Sequence, residues 1–318
     1  MEKTENLHDE NTNISFLTSQ GKINASFYPS ANNKDSLKYK VLCLHGFCCD
    51  ERIYKYLGGA LSRSGIDTYA IDLFGHGKSD GKRGDPDFNS TLKGIDEVLS
   101  QILSKSLQET NNAENKLPKI CILAHSLGCT YAMWYLASFT RRISGLILLA
   151  PYVWIKEIKN KGEAVPATAT FYNLLLRRIF TPSKLVSAKK VVSDSILQTK
   201  EVEVMINDPD IINSYSYRYI IDVIGFKNTK VNRFSSLKTP ILILHGKNDT
   251  NVNPQISERF YTILKSDKKA IKLLECDHWF NHAIFFNQDD KRYSEVDRLP
   301  IINSIVDWIY AIDSDKRD

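Results

Sequence analysis

The pentapeptide Ala124-His125-Ser126-Leu127-Gly128 puts a serine directly after an apolar run, Ile120–Ala124, and at the start of a helical pattern, Ser126 to Phe139. A strand-to-helix turn of this kind is the context of a nucleophile elbow. The turn is so sharp that its flanking positions must be small. The serine then stands at a helix N-terminus, where the dipole and free backbone N–H groups favour a developing anion. A serine hydroxyl is a weak nucleophile until a base takes its proton, so a histidine and an orienting acid are required. In chain order this architecture expects serine, then acid, then histidine. Asp249 fits the acid, just past the apolar run Ile241–Leu244 and the turn His245-Gly246-Lys247-Asn248. His278 fits the base, in Glu275-Cys276-Asp277-His278 after the last apolar run, with His282 as its competitor. The plainer alternatives are a serine in an ordinary tight turn and a capping aspartate. The oxyanion of an acyl transfer needs two N–H donors. Leu127, next after the serine, supplies one, and Phe47, in the loop His45-Gly46-Phe47-Cys48-Cys49, supplies the other. His45, His76, His125 and His245 are read as bonding loop backbone or packing beside the elbow.

These residues need a scaffold that gathers strand ends. Two alternating runs, Ile14–Thr18 and Lys22–Tyr28, joined at Ser19-Gln20-Gly21, predict an antiparallel hairpin. Tyr39–Leu44, Thr68–Ile71, Ile120–Ala124, Leu146–Ala150, Ile241–Leu244 and Ala270–Leu274 are short and rich in Ile, Leu or Val, as parallel strands covered on both faces are. Helices are predicted between them: one over Leu92–Leu103 with Asn89, Ser90 or Thr91 as cap, then Ser126 to Phe139, Pro254 to Leu264, and Leu299 to Ala311. The alternation implies an α/β fold with a mainly parallel, doubly wound sheet. Residues 151–236 break the rhythm and are too long for one crossover. They read as an inserted helical cap, with helix-like stretches at Phe171–Phe180 and Ile211–Ile224. The expected organisation is a polar, disordered N-terminus over 1–12, a hydrolase core over 13–150 and 237–318, and the cap over 151–236. Trp154, Phe171 and Tyr172 are the cap's candidates for lining an acyl pocket, against the plainer reading that they form its own core.

Composition narrows the partners. The chain is 42% hydrophobic and 25% charged over 318 residues, an ordinary globular balance. The net charge of +5 matches the surplus of thirteen Lys/Arg over eight Asp/Glu between Pro151 and Ser235. It does not form the dense basic stripe of a nucleic-acid binder, so no nucleic-acid partner is expected. No apolar run is long enough to span a membrane and no signal-peptide pattern opens the chain. Six scattered cysteines with no Cys-x-x-Cys pair fit a reduced, cytoplasmic setting and no structural metal.

Several motifs coincide: His45-Gly46, the stretch Asp72-Leu-Phe-Gly-His-Gly-Lys-Ser79-Asp-Gly-Lys-Arg83-Gly, Ala124–Gly128, Ala150-Pro151, and Thr239–Gly246 with Asp249. Together they resemble the monoacylglycerol lipase and lysophospholipase branch of the α/β-hydrolases, also called serine aminopeptidases. Gly75-His76-Gly77…Ser79…Gly81…Arg83 is the most specific part. The resemblance implies Ser126, Asp249 and His278 as triad, the N–H groups of Phe47 and Leu127 as oxyanion hole, the insertion as lid, and no cofactor or metal. Two positions depart from the branch: Ala124 stands where glycine is commoner, and Phe-Cys-Cys-Asp follows His45-Gly46 where typical monoacylglycerol lipases carry a Glu-His loop. The expected activity is hydrolysis of a small uncharged ester with a short or medium acyl chain, or a monoacylglycerol-like one, through an acyl-enzyme. A lactonase or thioesterase on the same triad, and a non-catalytic binding protein on this fold, are the alternatives.

Overall fold

The computed structural model describes residues 11–31, 39–109, 117–141, 143–153, 176–187, 208–222, 234–278, 280 and 295–312. An eight-stranded sheet runs in the order β1-β2-β4-β3-β5-β6-β9-β10. The strands are β1 Thr12–Thr18, β2 Gly21–Tyr28, β3 Tyr39–Leu44, β4 Asp67–Ile71, β5 Lys119–His125, β6 Gly145–Leu149, β9 Ile241–Gly246 and β10 Lys269–Leu274. The predicted hairpin is present, antiparallel within itself and to β4. From β4 to β10 every pairing is parallel.

Among the described residues the longer helices are α1 Lys55–Arg63, α2 Phe88–Glu109, α3 Leu127–Ser138, α4 Pro254–Ile263 and α5 Glu295–Ala311. Alternating strand residues feed two cores. Leu42, Leu44, Ile122, Ala124, Leu146 and Leu148 pack with α2, α3 and Phe260 of α4. Val41, Cys43, Cys121, Leu123, Ile147 and Leu149 pack with α1 and with Ile301, Ile305 and Ile309 of α5. Period-two side chains on a sheet covered on both faces explain why each central strand is apolar throughout. Each Leu or Ile so buried contributes about 1.5–3 kcal/mol, and their sum holds the strand ends in register.

The structure changes some boundaries. The cap of α2 is Asp87, whose Oδ1 accepts the Ser90 N–H at 2.7 Å, so Asn89 and Ser90 lie inside the helix. A carboxylate ahead of the first turn satisfies an orphan N–H and matches the dipole, which displaces the later candidates. Helix α1 was not predicted, because Gly58-Gly59 interrupts its apolar pattern. Helix α5 begins before Leu299 and carries Pro300 inside. Within the insertion, Ile211–Ile224 is not one helix: β7 Leu185–Ser187 pairs antiparallel with β8 Ser214–Ser216, and residues 217–222 are helical. The Ser216 N–H donates to the Gly84 carbonyl at 2.8 Å, so a core loop completes the strand edge that a helix would have withdrawn. Residues 176–180 of the predicted Phe171–Phe180 stretch are helical.

Glu51 opens a 3-10 turn before α1 with its side chain buried and, among the described residues, no partner for Oε2. Burial pushes its carboxyl up to about 7 against an ordinary 4.5, and a Ser26 hydrogen bond offsets this only partly. A raised carboxyl pKa gives stability that is fullest below about 4.5 and is lost as pH rises through about 7. Glu51→Gln is therefore expected to match wild type at pH 5 and to exceed it by about 1–3 kcal/mol at pH 8, read from urea midpoints. Equal midpoints at pH 8 would contradict this account of Glu51.

Candidate active site

Strand β5 runs into α3 through a single residue, Ser126, held at φ 51°, ψ −115°. This is backbone that L residues rarely adopt, at a cost on the order of 1–3 kcal/mol. The surroundings hold it there. The Ser126 N–H donates to the Leu149 carbonyl at 2.9 Å, and the Ser126 carbonyl accepts from the Cys129 N–H at 3.1 Å and the Tyr152 N–H at 3.3 Å. A Cβ on Gly128 would stand 2.3 Å from the Leu44 carbonyl oxygen and 2.6 Å from that of His45. Glycine there lets α3 start against the end of β3. Ala124, where glycine is commoner, is fully buried in the sheet core.

The loop after β3 lies against this elbow: a Cβ on Gly46 would sit 3.2 Å from Cβ of Ser126. His45 shapes that loop. Its Nε2 accepts the Leu73 N–H at 3.0 Å, so the ring carries its proton on Nδ1, which donates to the Gly46 carbonyl at 2.9 Å. Across a trans peptide, the Phe47 N–H points opposite to the Gly46 carbonyl, so it points away from the His45 ring. Cys48 follows at φ 55°.

Asp249 follows β9 and is buried. Its Oδ1 accepts the N–H groups of Asn251 at 2.7 Å and Val252 at 2.8 Å. Its Oδ2 accepts from His278 Nδ1 at 2.7 Å and His245 Nε2 at 2.9 Å. Burial alone would raise this carboxyl. The charge of His278 and the hydrogen bonds of both histidines outweigh that and hold it well below the usual carboxylate range. With Nδ1–H committed to Asp249, the neutral ring of His278 keeps its lone pair on Nε2, the nitrogen a general base uses. The two loops meet because Gly246 has no side chain: a Cβ there would fall 2.3 Å from the carbonyl oxygens of Cys276 and Asp277. His125 ties the elbow to the same loop, donating Nε2–H to the His278 carbonyl at 3.2 Å with the rings 4.9 Å apart. Burial, then His278, keeps the His125 ring well below the ordinary histidine range, hence neutral.

Of the residues singled out from sequence, Phe47, Ser126, Asp249 and His278 follow the C-terminal ends of β3, β5, β9 and β10, and Leu127 opens α3. Trp154, Phe171, Tyr172 and His282 lie outside the described residues. His45, His76 and His125 bond loop backbone, as read from sequence. His245 does more: it shares Oδ2 of Asp249 with His278, and its Nδ1 pairs with Ser257 Oγ at 2.6 Å. Its spacing four before the acid was the available signal. Among the described residues no cluster of His, Cys, Asp or Glu is placed to hold a metal, and the six cysteines are free.

The family model described as "Serine aminopeptidase, S33" matches residues 35–289. The chain belongs to this family. It is 24% identical over 304 residues to monoglyceride lipase of Saccharomyces cerevisiae, covering 91% of this chain and 90% of that one. The crystal structure of a soluble variant of that yeast lipase, in complex with a substrate analog, superposes with TM-score 0.74 at 20% identity, covering 95% of this chain and 96% of the other. Paleococcus ferrophilus monoacylglycerol lipase superposes with TM-score 0.67 at 21% identity, over 96% and 100% of the two chains. The fold is that of the α/β-hydrolases.

Gly128→Ala is expected to lower stability by about 1–3 kcal/mol, because the added methyl meets two backbone carbonyls that cannot turn aside. Urea unfolding beside Ala132→Ser, a change within the same helix, checks it. A Gly128→Ala midpoint equal to wild type would contradict the packing described.

Proposed function

We propose that this chain hydrolyses neutral carboxylic esters through an acyl-enzyme on Ser126, with His278 as general base and acid, Asp249 as its orienting carboxylate, and the N–H groups of Phe47 and Leu127 as oxyanion donors. The observation that carries the proposal is the buried His278–Asp249 pair, braced by His125 to the elbow that holds Ser126. His278 takes the Ser126 proton as Oγ attacks the ester carbonyl. The oxyanion collects the two N–H groups, and His278 then protonates the leaving alkoxide. Water repeats both steps on the acyl-enzyme. An ionised Asp249 steadies the imidazolium formed on the way, and with four hydrogen bonds already accepted it has little reason to take up a proton itself.

A relative named monoglyceride lipase, matched over nine-tenths of both chains, supports ester hydrolysis as the class of reaction. We assign the substrate as a monoacylglycerol-like or simple ester of short or medium acyl chain. The loop after Gly46 carries Phe47, Cys48 and Cys49, which offer an alcohol group no charged partner. Residues 151–236 act as the cap over the site, and its described part folds onto the core through Ser216, whose hydroxyl pairs with Asp85, and Arg218, 2.8 Å from the same carboxylate.

The test is hydrolysis of p-nitrophenyl esters from acetate to palmitate by wild type and Ser126→Ala. Wild type is expected to prefer acyl chains below about twelve carbons, and Ser126→Ala to lose about 10³–10⁶-fold in kcat. Equal activity of the two proteins would remove Ser126 from the mechanism. A rate rising steadily to palmitate would overturn the chain-length assignment alone.

A further inference from the structure

Tyr215 lies on β8 of the insertion, far in sequence from the elbow, and is fully buried. Its hydroxyl accepts the backbone N–H of Cys48 at 3.0 Å, and its ring stacks on Phe47 with centroids 4.1 Å apart and planes 23° apart. One side chain of the insertion therefore grips both residues of the turn that carries the proposed oxyanion donor. Cys48 needs such a grip, because its φ of 55° is a conformation that L residues rarely adopt. Its N–H is satisfied by the insertion rather than by its own loop.

Tyr215 is itself held from three sides. His76 donates Nδ1–H to the Phe74 carbonyl at 3.0 Å, which leaves Nε2 to accept the Tyr215 hydroxyl at 3.4 Å. Burial, then the neighbouring His45, brings His76 down to about 3, so it stays a neutral acceptor at ordinary pH. Tyr219 stacks under Tyr215 at 5.5 Å and takes the Tyr131 hydroxyl at 3.1 Å, from the helix that Ser126 opens. The strand itself is fixed to the core by Ser216 N–H on Gly84.

We propose that Tyr215 is a positioning residue for acyl transfer: it holds the Phe47–Cys48 turn so that the Phe47 N–H meets the oxyanion, and so makes the oxyanion site depend on where the insertion's β8 strand sits. This rests on the reading of Ser126 and Phe47 given above. The hydroxyl does not touch substrate. It acts through the peptide between Phe47 and Cys48, by fixing the one N–H that would otherwise let the turn rotate. The Gly75-His76-Gly77 motif then has a role beyond its own turn, since His76 orients the hydroxyl that orients the loop.

The experiment is steady-state hydrolysis of p-nitrophenyl butyrate by wild type, Tyr215→Phe, His76→Asn and Ser126→Ala, with a thermal midpoint for each. Tyr215→Phe keeps the ring stack and removes the acceptor. It is expected to lower kcat about tenfold with KM within about twofold, less than the loss of an oxyanion donor outright. His76→Asn is expected to lower kcat by about threefold in the same pattern, and it carries the test if Tyr215→Phe does not fold. Wild-type kcat in the folded variants, or a loss confined to KM, with Ser126→Ala inactive, would overturn the role of Tyr215 and leave the triad reading standing. Full activity of Ser126→Ala would overturn both.

Discussion

The one-residue turn at Ser126 is the constraint on which the rest depends. A strand and a helix can meet through one residue only if that residue takes strained backbone and if nothing obstructs the helix's first turn. The first demand is met by the Ser126 N–H donating to the Leu149 carbonyl and by the Ser126 carbonyl accepting from the Cys129 and Tyr152 N–H groups. The second is met by Gly128, seated against the carbonyls that end β3. Because those carbonyls belong to the strand that leads into the His45–Cys49 loop, one packing contact sets both the elbow and the loop facing it. The parallel pairing of β3 with β5, residue for residue from Tyr39–Lys119 to Leu44–Ala124, makes that contact repeatable.

Charge placement follows from burial. Asp249 stays ionised in a dry site because four donors surround it, and its ionisation gives the adjacent histidine a reason to hold its proton on Nδ1. His125, His76 and His45 occupy the opposite regime. Each is buried where a charge would be expensive, and each uses neutral ring nitrogens to tie one loop to another. Histidine suits this work because a neutral ring both donates and accepts, so one side chain can fix two backbone segments. The same fold thus separates two imidazoles paired to one carboxylate, His278 and His245, from three that serve as neutral braces.

Much of this was legible in the sequence because its signals were local. The central strands are apolar runs bounded by turn residues, and their limits moved by only one or two residues in the structure. The positions of Ser126, Asp249 and His278, just past β5, β9 and β10, follow from strand ends and chain order. What was not legible depended on distant partners. Helix α1 is broken in pattern by Gly58-Gly59. The strand at Ser214–Ser216 exists because Leu185–Ser187 pairs with it and Gly84, far away in sequence, offers a carbonyl, while its own residues read as part of a helix. The pairing of His245 with Asp249 and the grip of Tyr215 on Cys48 come from tertiary packing alone. Family resemblance pointed to Gly75-His76-Gly77 as specific, but only the fold joins it, through Tyr215, to the loop after β3.

The central claim is that Ser126 is made nucleophilic by this arrangement. The most direct measurement is intact-mass analysis after brief treatment with a fluorophosphonate, followed by peptide mapping, in wild type and in His278→Ala. The account predicts one adduct per chain on the peptide containing Ser126, formed at least about a hundredfold more slowly without His278. An adduct on another residue, or labelling of Ser126 at the same rate with and without His278, would contradict it.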